Sequence, residues 1–258
     1  MIRVFITAFV ALLGLATALP AAAVVTVDDH FDDGVLDPAW SVSFINATGW
    51  TSTEAGSNLT VTGVGDASDD LDWAITRLSR SFAALGDFQA EFDMSWTSAA
   101  DDSAVMYVQA YLVDNAGARF AMAGYHDPWS IYSGGRIASL AGTGSSFEGN
   151  YGTSGLNHSG SLSIDISRTG TAVDVLWDGV PELSGNHGAP LVGVQIEFAS
   201  YRFDGHRNWE PSTFGTESVD RVHIEGTALS VAEPASLALF GLGLVVLGSA
   251  RRRSRAVI

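Results

Sequence analysis

Period-two alternation recurs through the middle of this 258-residue chain, and helical periodicity does not. Phe88, Ala90, Phe92, Met94 and Trp96 alternate with Gln89, Glu91, Asp93 and Ser95. Successive strand side chains point to opposite faces, so this pattern predicts a strand with one buried and one wet face. Leu162, Ile164 and Ile166 alternate with Ser163, Asp165 and Ser167 in the same way. From Val105 to Val113 both sets of positions are apolar or aromatic apart from Gln109, which predicts a central strand covered on both sides. Val192, Val194, Ile196 and Phe198 predict another long strand, and Val222 with Ile224 a last one.

Turn chemistry falls between these runs. Asp114-Asn115-Ala116-Gly117 separates two of them, and Asp178-Gly179 sits between Val173–Trp177 and Val180–Leu183. An Asp-Gly pair between apolar runs predicts a hairpin, because both central positions of the tight turn need positive φ. Glycines cluster from Gly134 to Gly160, which predicts loops there, the stretch Gly142-Thr143-Gly144-Ser145-Ser146 included. No fixed repeat period is visible, which argues against a propeller or solenoid. The chain has no cysteine, so disulfides, thiolate metal sites and cysteine nucleophiles are excluded and stability must come from a packed core. The 24–231 stretch is long enough for one large domain or two small ones. The expectation is a single antiparallel β-sandwich of a dozen or more strands.

The two ends read differently. Arg3 is followed by an apolar stretch from Val4 to Leu19, then Pro20 and Ala21-Ala22-Ala23, which predicts a signal peptide over 1–23 with an Ala-x-Ala cut between Ala23 and Val24. At the other end, Ala232-Glu233-Pro234 precedes an apolar run from Ala235 to Ala250, and Arg251, Arg252, Arg253 and Arg255 follow. As a helix that run reaches about 24 Å, short of a hydrocarbon core of roughly 30 Å, so it would span only with thinning or snorkelling. The arginines would stay cytoplasmic, leaving the preceding chain on the far side of the membrane.

This tail resembles the PEP-CTERM sorting signal of Gram-negative bacteria, in which a Pro-Glu-Pro motif, a transmembrane helix and a basic end are recognised by an exosortase. Ala232 stands here in place of the first proline. The resemblance implies a sorting signal over 232–258, with motif 232–234, helix 235–250 and basic tail 251–258. The implied partners are signal peptidase, the secretion machinery, an exosortase and, transiently, the membrane. The implied location is the cell surface, outer envelope or extracellular matrix, and proteins with such tails accompany exopolysaccharide and biofilm production.

All 13 basic residues are arginine, and five of them, Arg3, Arg251, Arg252, Arg253 and Arg255, lie in these end segments. Without both ends, eight arginines face 28 acids and the net charge sits near −20. Such a surface repels nucleic acid and anionic lipid, whose binding needs clustered Lys or Arg.

A second resemblance covers most of the body. The opening Asp29-His30-Phe31-Asp32-Asp33-Gly34-Val35-Leu36-Asp37-Pro38-Ala39-Trp40, the hairpin from Val173 to Val180 and the closing Ser218-Val219-Asp220-Arg221-Val222-His223-Ile224 resemble concanavalin A-like, laminin G-like jelly rolls. Jelly rolls of this type often hold a structural calcium where first and last strands meet. The resemblance implies that Asp29 or Asp32 would then lie near Asp220.

Laminarinase-like glycosidases on that fold carry E-x-D-x-E or E-x-D-x-x-E on a strand, so that two carboxylates act as nucleophile and acid. Here Glu91-Phe92-Asp93-Met94-Ser95-Trp96 lacks the second glutamate, so Glu91 and Asp93 read as a solvated strand face. No G-x-S-x-G elbow, H-x-H or H-E-x-x-H pair occurs, and Gly63-Val64-Gly65 lacks the context of a nucleotide loop. Sugar binding needs aromatic platforms beside hydrogen-bonding groups. Tyr125-His126-Asp127-Pro128-Trp129 and His206-Arg207-Asn208-Trp209-Glu210 have that composition, with Tyr125, Trp129, Arg207 and Trp209 as candidate ligand residues. The leading expectation is a non-enzymatic exported protein that binds polysaccharide. The competing one is a secreted polysaccharide lyase or hydrolase using Tyr125, His126, His206 or Arg207.

Overall fold

In the computed structural model, fourteen strands, numbered in chain order, form among the described residues, which are 23–45, 51–54, 58–62, 74–97, 104–127, 135–149, 159–202 and 216–229. They are β1 Ala23–Asp29, β2 Ser41–Ile45, β3 Thr51–Glu54, β4 Leu59–Thr62, β5 Ala74–Thr97, β6 Ala104–Asp114 and β7 Arg119–Asp127. There follow β8 Gly135–Leu140, β9 Gly144–Gly149, β10 Ser159–Thr169, β11 Ala172–Trp177, β12 Val180–Asn186, β13 Leu191–Arg202 and β14 Thr216–Ala228. Every pairing is antiparallel.

β5 is 24 residues long because it serves two layers. Its first half pairs with β2 and β13, and its second half, from about Leu85, with β10 and β14. The first layer therefore runs β2-β5-β13-β6-β7-β8-β9. The second runs β3-β4-β14-β5-β10-β11-β12, with β1 beside the later part of β14. Between the layers lies the core that the alternation predicts. Leu78, Val108, Ala110, Leu112, Val194, Ile196 and Phe198 face it from the first layer; Ala90, Phe92, Met94, Ile164, Val175, Trp177 and Ile224 face it from the second. Aromatic pairs join the two layers: Trp96 stacks on Tyr125 with centroids 4.0 Å apart, and Phe88 meets the edge of Phe120 at 6.2 Å.

The turn from layer to layer is tied by Arg168. This side chain is 4% exposed and donates to the carbonyls of Leu85, Gly86 and Ala189 while lying over the Phe88 ring. Backbone polar groups freed at the bend thus find a buried donor rather than water.

Both turn expectations are met. Asp178 and Gly179 have φ of 48° and 78°, joining β11 to β12. Asp114 Oδ1 accepts from Ala116 N and Ala118 N in the β6–β7 turn, where Gly117 has φ of 78°. The glycine-rich stretch departs from expectation. Rather than being all loop, it contains β8 and β9, joined by a turn at 141–143, and Gly144-Ser145-Ser146 is the start of β9. Composition predicts loops there, but Ile137, Ala138 and Leu140 gain β7 as a neighbour, and pairing overrides propensity.

No helix among the described residues is long and apolar enough to cross a membrane. The expected signal-peptide helix and the 235–250 helix lie outside the described residues, as does the whole motif Ala232-Glu233-Pro234.

Candidate functional site

Register places the side chains of a strand on alternate faces, and the positions opposite the core residues form the outer face of the first layer. There Arg77 of β5, Gln195 and Glu197 of β13, Tyr107, Gln109 and Tyr111 of β6 and Arg119 at the start of β7 come together. Glu197 is 2% exposed and is the acceptor at the centre. Arg77 Nε donates to Glu197 Oε1 at 2.6 Å, Arg119 Nη2 donates to the same oxygen, and the Tyr107 hydroxyl reaches Oε2 at 3.4 Å. Arg119 Nε also donates to Gln195 Oε1 at 2.7 Å, and its guanidinium lies 4.0 Å from the centroid of the Tyr111 ring. Tyr111 in turn donates to Gln109 Oε1 at 2.6 Å.

Burial alone would raise the Glu197 pKa, but the hydrogen bonds and charges of Arg119 and Arg77 outweigh it and hold the carboxyl below its ordinary range. Tyr107 and Tyr111 are pushed far up, chiefly by burial, Tyr107 further by Tyr111 and Glu197 and Tyr111 further by Glu197. At neutral pH the site thus holds an ionised carboxylate, two guanidinium groups and two protonated phenols. It is an array of donors and acceptors fixed on adjacent rigid strands. Neither phenol is set up as a general base, and Glu197 is not set up as a general acid.

The expected residues fall elsewhere. Tyr125 is 1% exposed and stacked on Trp96 between the layers, which corrects its reading as a ligand platform: the ring sits on the core side of β7. Trp129, Arg207 and Trp209 lie outside the described residues, as do Ala21, Arg251, Arg252 and Arg253. Ala23 opens β1 opposite Thr227. Glu91 and Asp93 do lie on a solvated face, with Glu91 paired to Arg221 at 2.8 Å.

The first and last strands meet as the resemblance implies, with Asp29 opposite Val222, but the calcium ligands are not gathered. Asp29 accepts from Phe31 N at 3.0 Å and from Trp40 Nε1 at 2.8 Å, both within the opening turn. Asp32 is exposed, and Asp220, its pKa raised mainly by burial, has Ser218, Ser95 and Asp93 as neighbours. Among the described residues no group of three or more His, Asp or Glu is placed to hold a metal ion. A depression of about 270 Å³ at the β5 bend is lined by Asp87, Phe88, Arg168 and Glu225 among others. Arg168 is already committed there to backbone carbonyls.

No family model matches this chain, and no curated protein matches it. Solved structures do. A laminarinase from Flavobacterium sp. UMI-01 superposes with a TM-score of 0.52 at 12% identity, over 78% of this chain and 99% of that one. The Emp47p carbohydrate recognition domain gives 0.50 at 7% identity, over 77% and 93%. A sialidase gives 0.51 at 13% identity over 79% of this chain, which spans only 18% of the sialidase. At these identities the likeness concerns architecture: the chain has a concanavalin A-like jelly-roll fold, an all-β antiparallel sandwich.

Proposed function

We propose that this protein is an exported, non-enzymatic surface or extracellular-matrix component whose sandwich binds polysaccharide across the outer face of the first layer. The observation that carries the reading is the fixed donor and acceptor array around Glu197, built from β5, β6, β7 and β13. Sugar hydroxyls need partners of both kinds, and partners held on strands cost little entropy to engage. Neighbours on the same fold include both glycan-cleaving enzymes and a carbohydrate recognition domain, so the fold is compatible with either outcome. Binding is favoured because, among the described residues of this face, Glu197 is the single carboxylate and two arginines hold it ionised. A two-carboxylate hydrolase needs a second, protonated partner.

Export belongs to the proposal through the 1–23 leader, and sorting by an exosortase through the 232–258 tail. Trp129, Arg207 and Trp209 join it as the candidate ligand residues of the sequence. Two measurements test the reading. A glycan array with the secreted protein, repeated with Trp129→Ala and Trp209→Ala, should show retention by at least one polysaccharide and weaker retention by a variant. New reducing ends or unsaturated uronates released from any polymer would instead establish the enzyme. Intact-mass analysis should give a mature form that begins at Val24 and lacks Arg251; one extending past Arg251 would contradict sorting.

A further inference from the structure

The two outer faces of the sandwich carry opposite charge. On the second layer, the outward positions include Asp28, Glu91, Asp93, Asp165, Asp174 and Glu225, against Arg221. On the first layer, the described outward side chains include Arg77 and Arg119, and Glu197 is the sole acid. A body near −20 thus presents one face with a net positive centre. Both arginines remain reachable, with side chains 28% and 33% exposed.

Their donors are also not exhausted. Arg77 engages Glu197 through Nε, and its two terminal amino groups have no hydrogen-bond partner among the described residues. Arg119 uses Nε and Nη2, and its stacking on Tyr111 holds the guanidinium plane fixed. A guanidinium so oriented matches a carboxylate with two parallel N–H donors, a geometry lysine cannot supply. Resting on the polysaccharide-binding reading above, we infer that the polymer this face takes is an acidic one, held by its uronate carboxylates on Arg77 and Arg119. The Tyr111 side chain and the Gln195 amide flank the arginines as partners for the sugar hydroxyls. The acidic second layer keeps the polymer off the opposite face, so binding is one-sided.

The test is affinity electrophoresis of the secreted protein through gels containing polygalacturonate, its methyl-esterified form, laminarin or polyglutamate. Retardation is expected in polygalacturonate alone, weaker at ~300 mM than at ~50 mM NaCl and unchanged by EDTA. Arg77→Gln or Arg119→Gln should weaken it by roughly tenfold or more, while Arg136→Gln, outside this face, should not. Circular dichroism reports whether each variant folds, and the esterification and salt arms decide the matter on the parent protein alone. Equal retardation by the esterified polymer or by laminarin overturns the acidic assignment and leaves polysaccharide binding standing. Loss with EDTA overturns it in favour of cation bridging at the acidic face, and equal retardation by polyglutamate overturns the sugar. Retardation by none of the polymers sinks both this inference and the binding reading.

Discussion

Arg168 is an arginine whose partners are peptide carbonyls rather than a carboxylate. With Leu85, Gly86 and Ala189 all accepting from it, substitution by methionine keeps much of the packing and strands the carbonyls. Arg168→Met should therefore lower stability by roughly 3–5 kcal/mol, read as a lower urea midpoint in equilibrium unfolding. Glu217 poses the opposite case. It is 3% exposed, its Oε1 has no partner, and burial raises its pKa well above the ordinary value. A folded pKa above the unfolded one means that charging this acid costs more in the folded chain. Stability is then lost as pH rises from the ordinary carboxylate range toward the folded pKa. Glu217→Gln should leave the melting temperature near that of the parent at about pH 4 and raise it above the parent at about pH 8. Glu197, whose pKa is lowered, contributes stability above its unfolded pKa that is lost as pH falls through the folded value.

At the scale of elements, the strands were the most legible part of the sequence. β10, β11 and the second half of β5 follow the period-two pattern residue by residue, because one face of each is core and the other is solvent. The Asp178-Gly179 hairpin was legible because positive φ at two successive positions admits few residue pairs. The first half of β5 was less so, since Arg77 and Arg80 interrupt the apolar pattern in favour of partners elsewhere, Glu197 and Asp37. The candidate site was not legible at all. Glu197 lies 120 residues from Arg77 and 78 from Arg119, and nothing short of strand order brings them together. β7 adds a steric demand. A Cβ on Gly124 would lie 2.1 Å from the Val108 carbonyl oxygen of β6, so Gly124→Ala must push the two strands apart. Its cost should be about 3 kcal/mol or more, with backbone amide exchange accelerated along β6 and β7 more than along β11 and β12.

For the whole molecule, charge sets the conditions under which the sandwich is firm. A body near −20 repels itself, and the six acids across the second layer concentrate that repulsion on one side. Raising NaCl from about 20 mM to about 0.5 M should raise the melting temperature, and a drop would mean that the ion pairs around Glu197 matter more than the repulsion.

The partnership of β1 with β14 bears on when this molecule can come into being. Synthesis delivers Ala23 early, yet its neighbour across the ladder is Thr227. β14 also lies against β4 and β5, so the second layer lacks an interior strand until the final stretch of the body has emerged. A chain cut before Thr216 should accordingly show no cooperative unfolding rather than a smaller folded remnant. The second layer is thus closed last, when the final strand of the body meets its first.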